Sequence, residues 1–362
     1  MRSSWVRDAG QGNMAVLYGS ERIATYCHVW PRMATYSYLL PHIAYEWSLA
    51  VTTLFITHPD CRLHDMGAHH PECPERLAAV EDQCIAAGIM DFLLRVEAPK
   101  ATREQLERVH DAGYLDAIEA ASPAHGFVQL DPDTAMNPYT LDAALRGAGA
   151  AVLATDRVMA GDAQNAFCNV RPPGHHAVRD RAMGFCVINN VAVAAAHALE
   201  HHGLDRVAIV DFDVHHGNGT EDIFTGKPYE GRVLMVSTFQ YPFYPYSGVE
   251  GRSEQMVNIP LAANSGSKEF RAAVDTHWMP ALEKFKPQML FISAGFDAHR
   301  EDQLAMLNLV EADYAWVTQR IKIVANTHAG GRIVSILEGG YALSALGRSA
   351  VAHLRVLAGV AA

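Results

Sequence analysis

The sequence predicts an α/β protein whose mostly parallel sheet is covered by helices on both faces. Short, continuous apolar runs alternate with longer helical stretches, and polar motifs that contain glycine follow four of those runs. Of the 362 residues, 49% are hydrophobic and 19% are charged, and the chain contains no low-complexity tract. This composition excludes a largely disordered, collagenous or coiled-coil protein.

Six segments have the β-branched and apolar composition of buried strands. They are 54–57, 166–170, 206–212, 232–238, 288–293 and 332–337. Five longer segments carry alanine and leucine at helical spacing, namely 140–159, 189–202, 268–285, 311–326 and 343–357. Because no linker or internal repeat interrupts this alternation, we expect one α/β domain over residues 51–362.

Residues 1–50 are aromatic-rich and lack sustained periodicity, so we interpret them as an N-terminal extension of uncertain order.

The six cysteines form no CxxC pair, which favours a reducing cytoplasm over an oxidising compartment. The apolar run at 47–56 is too short to span a membrane and lacks a signal-peptide pattern, so we expect neither export nor membrane insertion. The net charge of −11 argues against a nucleic-acid partner.

Polar motifs stand at the ends of four predicted strands. They are RPPGHH at 171–176, DFDVHHGN at 211–218, SAGFDA at 293–298 and EGGY at 338–341. Ligands of open parallel sheets bind outside the carboxyl ends of the strands, so these motifs predict one functional site at that edge.

The DFDVHHGN motif predicts a metal centre. Asp211, Asp213 and His215 share one face of an extended chain, and a salt-bridged turn does not account for two acids and two histidines in six residues. A catalytic zinc site needs three protein ligands and an open position, so Asp213 and His215 require a partner such as Asp297. Two carboxylates and an imidazole also suit ferrous iron, and the spacing does not choose between the metals.

Tandem histidines in the RPPGHH motif supply candidates for proton transfer. Either His175 or His176 can act as a general base near neutral pH, and Asp211 and Asn218 are candidates to orient them. Tyr341 follows a double glycine and can donate a hydrogen bond to a developing oxyanion. The other histidine pairs, at 69–70 and 201–202, are interpreted as solvated or packed side chains.

The motifs RPPGHH, GFCVINN, DFDVHHGNGT, SAGFDA and EGGY, in this order, resemble the histone deacetylase superfamily, specifically its class II members and bacterial deacetylase-like amidohydrolases. The resemblance covers residues 54–358. It implies the arginase-deacetylase fold, with an eight-stranded parallel sheet, and zinc-dependent hydrolysis of an acyl amide. By motif position, Asp213, His215 and Asp297 would bind one zinc ion, and Tyr341 would polarise the acyl carbonyl.

The resemblance also implies roles for the neighbouring polar residues. His176 would be the base and acid, and His175 would pair with Asp211. Asn218 is typical of class II, whereas class I has aspartate at this position. A structural potassium ion is implied near Asp211 and Ser237.

The resemblance further implies how the substrate binds. The Gly184 carbonyl would accept the substrate amide hydrogen, and Phe185 and Tyr244 would flank an aliphatic linker. Polyamine-specific relatives carry an acidic residue seven positions after the last zinc ligand, where this chain has Leu304. This difference favours an acylated lysine of a peptide or protein, or another small acyl amine, over an acylpolyamine.

We therefore expect a zinc amidohydrolase that removes acetyl or short acyl groups from an amine, most simply the Nε of lysine. An acetylpolyamine amidohydrolase is the first alternative, and a non-catalytic interaction protein is the second. Gly217 stands where arginases need a further manganese-binding aspartate, which disfavours a ureohydrolase. Tyr341 is present where weakly active class IIa members have histidine. A homo-oligomer is left open.

Overall fold

The computed structural model of the chain describes residues 52–250 and 254–360. The predicted extension at residues 1–50 lies outside the described residues. Eight strands form the main sheet, and two form a small hairpin. In chain order they are β1 Thr53–Thr57, β2 Leu93–Glu97, β3 Val128–Asp131, β4 Thr134–Met136, β5 Asn165–Cys168, β6 Val207–Asp211, β7 Val233–Gln240, β8 Met256–Leu261, β9 Leu290–Ala294 and β10 Ile333–Leu337.

Helices cover the sheet and connect its strands. They are α1 Glu75–Ala86, α2 Arg103–Glu107, α3 Ala112–Ala121, α4 Thr140–Ala160, α5 Asn190–Glu200, α6 Asn218–Phe224, α7 Ser267–Ala273, α8 Met279–Phe285, α9 Glu311–His328 and α10 Leu343–Ala358. None of the described helices is long and apolar enough to cross a lipid bilayer.

The main sheet is parallel throughout, with the strand order β2-β1-β5-β10-β9-β6-β7-β8. Every residue of β6 and of β9 is buried, because helices cover both faces of the inner strands. The predicted single α/β domain and the eight-stranded parallel sheet are confirmed.

The two strands of the main sheet that the composition did not indicate, β2 and β8, lie at its edges. Strand β2 has mixed exposure, and β8 contains Pro260, which cannot donate to a sheet hydrogen bond. Edge strands have a neighbour on one side only, so neither carries the continuous apolar run that marks an inner strand.

The helix predicted over 268–285 is divided in the structure. Helix α7 ends at Ala273, a π-helical turn covers Val274–Trp278, and α8 follows. Pro280 lies in the first turn of α8, where its missing N–H costs least. Periodicity detected the apolar face correctly but not this change in backbone hydrogen bonding.

The strand order brings the four polar motifs side by side. Strands β5, β10, β9 and β6 are consecutive neighbours, and each precedes one of the motifs. The β3–β4 hairpin approaches the same region, because Asp133 in its turn accepts a hydrogen bond from the Gly184 N–H at 3.1 Å. The four polar motifs therefore lie together at the carboxyl edge of the sheet.

Candidate active site

The structure brings Asp213, His215 and Asp297 together at the carboxyl ends of β6 and β9. The His215 Nδ1 atom lies 3.1 Å from Asp213 Oδ1 and 3.3 Å from Asp297 Oδ2. One ligand atom from each residue lies within 4.8 Å of the others. Both carboxylates are almost fully buried.

Backbone N–H groups hold the two carboxylates in place. The Val214 N–H donates to Asp297 Oδ1 at 2.9 Å, and the Gly339 N–H donates to Asp213 Oδ2 at 2.8 Å. The His215 N–H donates to Asp213 Oδ1 at 2.9 Å. The Val214 and His215 donors follow β6 and the Gly339 donor follows β10, the two strands that flank β9, so the register of the sheet fixes the geometry of the cluster.

The residues present fit a divalent metal ion. Asp297 Oδ2 is a buried oxygen that makes no hydrogen bond of ordinary geometry with the described residues, and His215 Nδ1 lies 3.3 Å from it. A Cβ atom at Gly295 would lie 2.0 Å from Asp213 Oδ2, and one at Gly339 would lie 2.0 Å from Asp297 Oδ2. Glycine at both positions therefore keeps the space around the carboxylates open, and two carboxylates with an imidazole are ligands that zinc accepts.

The electrostatics of the cluster also suit a cation. Burial lowers the pKa of His215, but hydrogen bonds to Asp213 and Asp297 outweigh burial and raise it to about 9. Burial and the charge of Asp213 raise the pKa of Asp297 to about 6, against the opposing effect of His215. A proton on His215 thus lies between two carboxylates, and metal binding would release it.

The tandem histidines have different partners. The His175 imidazole lies 3.0 Å through Nδ1 from Asp211 Oδ2, whereas His176 Nδ1 lies 2.7 Å from Asn218 Oδ1. Their ring centroids are 4.1 Å apart. Gly184 has a positive φ of 57°, and a Cβ there would lie 2.4 Å from His176 Cδ2, so only glycine allows this close approach.

The different partners separate the two histidines electrostatically. Burial lowers the pKa of His175, but Asp213 and Asp211 outweigh it and hold the value well above that of a free imidazole. Burial and the positive charges of His175 and His215 hold the pKa of His176 well below its ordinary value. His176 is therefore the neutral member of the pair and is able to accept a proton.

Tyr341 is held from two sides. The Tyr341 N–H donates to Asp302 at 2.6 Å, and the Arg76 guanidinium lies over the ring, 4.9 Å from its centroid. Arg76 also donates to the Gly340 carbonyl at 2.7 Å and to the Glu338 carbonyl. Burial raises the pKa of the Tyr341 phenol well above its ordinary value, so the hydroxyl remains a donor.

A cavity of about 200 Å³ connects these groups to the surface. It is lined by three candidate catalytic or metal-binding residues, His176, His215 and Tyr341. It is also lined by the four predicted substrate-binding residues, Gly184, Phe185, Tyr244 and Leu304. The structure thus places at one cavity residues that are as far apart in the sequence as Asp133 and Tyr341.

The cavity walls are mainly aromatic. Phe243 stacks on His215, with ring centroids 5.6 Å apart, and Tyr244 meets the edge of His176 at 5.3 Å. The Tyr244 hydroxyl is buried without a hydrogen bond of ordinary geometry to any described residue. This hydroxyl makes the wall slightly more polar than a phenylalanine would.

Sequence reasoning missed four charged residues that shape this site. Asp133 lines the cavity, and Arg76, Asp302 and Glu338 support its loops. Their charges are visible in the sequence, but their partners are distant along the chain.

The predicted potassium region has one matching feature. Asp211 and Ser237 are directly paired between β6 and β7, and the Ser237 hydroxyl is buried without a hydrogen-bond partner among the described residues. An unpartnered buried oxygen beside a carboxylate is compatible with a cation, and the potassium site stays a prediction.

The fold and the cavity define a hydrolase that acts on amide bonds and is built on the arginase-deacetylase fold. Residues 70–357 match the histone deacetylase domain family. The chain therefore belongs to the histone deacetylase family.

Individual relatives agree with this assignment. The chain is 38% identical over 301 residues to a histone deacetylase-like amidohydrolase of Pseudomonas aeruginosa, covering 81% of this chain and 78% of the relative. It is 34% identical to the polyamine deacetylase HDAC10 of Mus musculus, covering 88% of this chain and 48% of the relative. The crystal structure of the HDA15 HD domain superposes with a TM-score of 0.79 at 34% identity, over 86% of this chain and 89% of that one.

Proposed function

We propose that this protein is a zinc-dependent deacylase that removes acetyl or short acyl groups from the Nε of lysine. The observation that carries the proposal is the convergence of three groups at one narrow cavity. His215 of the buried ligand set, the neutral His176 and the phenol of Tyr341 all line it. Ferrous iron suits the same ligands and remains the alternative metal.

Each residue of the site has a task in this reaction. When held by Asp213, His215 and Asp297, zinc would supply Lewis-acid polarisation and a water of lowered pKa. Tyr341 donates its hydroxyl hydrogen to the acyl oxygen, which gains negative charge as the water oxygen bonds to the acyl carbon.

Proton transfer falls to His176. It accepts a proton from the attacking water and delivers it to the amine nitrogen as the carbon–nitrogen bond breaks, which yields a carboxylic acid and a free amine. Asn218 orients the His176 ring through Nδ1, and Asp211 holds His175 beside it. His175 therefore acts as a positioning residue.

The cavity favours a neutral, extended linker. Phe185, Phe243 and Tyr244 give it aromatic walls, and Leu304 adds an apolar side chain. An aliphatic lysine side chain is compatible with these walls, whereas Leu304 offers no charge to a second ammonium group. Asp133 at the cavity is the observation that keeps acetylpolyamines as a second candidate class, because a carboxylate can pair with a cationic amine.

The test compares an acetyl-lysine peptide, an acetylpolyamine and a trifluoroacetyl-lysine reporter, using protein of measured metal content with and without a hydroxamate chelator. We expect hydroxamate-sensitive turnover of the peptide. Turnover of the polyamine alone would overturn the lysine assignment, and cleavage of the reporter alone would leave the natural acyl amide unidentified. No turnover of any substrate would favour a non-catalytic interaction protein.

We also propose the domain bounds, the cellular location and a structural ion of this protein. The catalytic domain comprises residues 51–362, with 1–50 as an extension. The five cysteines of the described region are free thiols, which supports a reducing, cytoplasmic location. A structural potassium ion would bind near Asp211 and Ser237.

A further inference from the structure

A second cluster of metal-binding side chains lies away from the candidate active site, between α4 and the C-terminal end of α5. Asp156, His197, His201 and His202 each offer one ligand atom, and all these atoms lie within 4.8 Å of one another. The described part of the chain contains two such groups, and the catalytic ligands form the other.

The carboxylate of Asp156 is the centre of this cluster. Its Oδ1 atom lies 2.7 Å from His197 Nε2 and 2.8 Å from His202 Nε2. His201 follows His197 by one helical turn, and the two rings stack with centroids 4.6 Å apart and planes inclined by 15°. The His201 ring makes no hydrogen bond to another described residue, so its nitrogens are available to a ligand.

These residue types at this spacing have the chemistry of a metal site. Three imidazoles and one carboxylate complete a four-coordinate set for zinc, and histidines four residues apart lie on one face of a helix. The C-terminal end of α5 carries a partial negative charge that favours a cation.

We propose that Asp156, His197, His201 and His202 form a second site for a divalent transition-metal ion, with Zn²⁺ as its simplest occupant. The proposal does not rest on the deacylase activity. The opposite end of α5 packs on the tandem-histidine loop, where Asn190 Nδ2 donates to the Pro172 carbonyl at 3.2 Å. The 11 residues of α5 extend about 16 Å, so the ion would lie about that far from the tandem-histidine loop and take no part in catalysis. It would instead join α4 to the far end of α5.

Arg108 limits the affinity of this second site. Its Nη1 atom lies 2.7 Å from His197 Nδ1, so in the metal-free arrangement Arg108 donates to Nδ1 and the imidazole proton is on Nε2. Metal binding through Nε2 would move that proton to Nδ1 and displace Arg108 toward Glu104 and Glu200, which are 3.5 and 3.6 Å away. An Arg108→Gln variant removes the charge and can accept the Nδ1 proton, so it should bind the ion more tightly.

The test is a zinc titration of the full chain, with bound metal counted by elemental analysis after equilibrium dialysis. The wild type should bind a second equivalent of zinc beyond the catalytic one. A His201→Ala/His202→Ala variant should lose that second equivalent and keep the first. His328→Ala is the matched control, because His328 pairs with Glu283 at the end of another helix and should leave both equivalents in place.

Two further measurements separate this site from the catalytic one. Added zinc should raise the Tm of the wild type but not that of the double variant. Asp297→Asn should lose the catalytic equivalent and retain the second. Asp156→Asn keeps an oxygen that can accept the histidine hydrogen bonds but removes the carboxylate ligand. It should lower the zinc affinity of the second site by more than roughly 10-fold, which is the cost of losing the hydrogen-bond partner of a ligand.

The outcomes are distinct. A wild type that binds one equivalent only, or a double variant that still binds two, would overturn the second site. If Arg108→Gln does not tighten binding, His197 is not a ligand and the proposed set is wrong. If the catalytic equivalent is present and no substrate is turned over, the deacylase proposal fails while the second site stands on its own titration.

Discussion

The two clusters of histidine and aspartate have the same types of ligand atom but differ in burial and in the groups that hold their carboxylates. The carboxylates of Asp213 and Asp297 are buried at strand ends, and each accepts a hydrogen bond from a backbone N–H of a neighbouring loop. The side chain of Asp156 is 42% exposed and receives its hydrogen bonds from two histidine side chains. Backbone register fixes the first cluster, and side-chain rotamers hold the second.

This difference predicts how each cluster responds to change. A cluster fixed by the sheet has its ligands in place before the metal arrives, so a small displacement removes the function. A cluster on a helix surface can rearrange its side chains, and its loss costs a local contact. Substitutions at the first cluster should therefore affect turnover, whereas those at the second should affect metal count and stability.

Gly339→Ala should have the largest effect, although it alters no titratable group. The added Cβ would lie 2.0 Å from Asp297 Oδ2 and 2.6 Å from Asp213 Oδ2. We expect loss of the catalytic metal and a fall in kcat/KM beyond the roughly 10²- to 10³-fold cost of removing one oxyanion donor. Metal analysis and turnover of the acetyl-lysine peptide measure both effects.

The matched control for this substitution is Gly113→Ala. Gly113 lies in α3, where a Cβ would meet no atom within 4 Å, so turnover and metal content should stay at wild-type levels. A Gly339→Ala protein that retains the catalytic metal and full turnover would contradict the assignment of Asp213 and Asp297 as ligands.

Tyr341→Phe should separate metal binding from carbonyl polarisation within the buried cluster. Removing the hydroxyl should lower kcat by about 10²- to 10³-fold, as for loss of other oxyanion donors, while the metal remains bound. Tyr244→Phe is the control, since it removes a hydroxyl from the same cavity and should retain most of the activity. Equal turnover by the Tyr341→Phe and wild-type proteins would exclude Tyr341 as the donor.

Asn218→Asp gives His176, beside the first cluster, a carboxylate partner of the kind that Asp156 provides in the second. A negative charge beside an imidazole favours its protonated form and raises its pKa. The base must be unprotonated, so the acid limb of the kcat/KM profile should move to higher pH. The pH profile of the variant measures this shift, and an unmoved limb would exclude His176 as the base.

The strand-end motifs made most of the buried cluster predictable from the sequence. Asp213 and His215 are two residues apart and directly follow β6, which ends at Asp211. Asp297, Tyr341 and His176 follow other inner strands whose apolar runs are easy to detect. Their convergence depends on the strand order, which the sequence analysis did not predict; the resemblance to a known family implied only that these residues share one site.

The sequence did not reveal the second cluster, because its parts lie on two helices. We interpreted His201 and His202 as a solvated or packed pair, and nothing near them in the chain indicates Asp156. The sequence did not indicate Arg76 and Asp302 for the same reason, since each contacts a loop at Tyr341 from a distant segment. Local patterns predict strand ends well, whereas contacts between separate helices and loops require the packed structure.

Asp156→Ala should have the smallest effect and completes the comparison. It removes the acceptor shared by His197 and His202, and in this half-exposed position we expect a loss of about 1 kcal/mol in the free energy of unfolding. Turnover should not change, because neither histidine lines the candidate active site. Urea denaturation without added zinc measures the loss, with Asp156→Asn as a control that keeps an acceptor oxygen. If Asp156→Ala lowers turnover as far as Gly339→Ala does, the two clusters are coupled through α5 and the division between them is wrong.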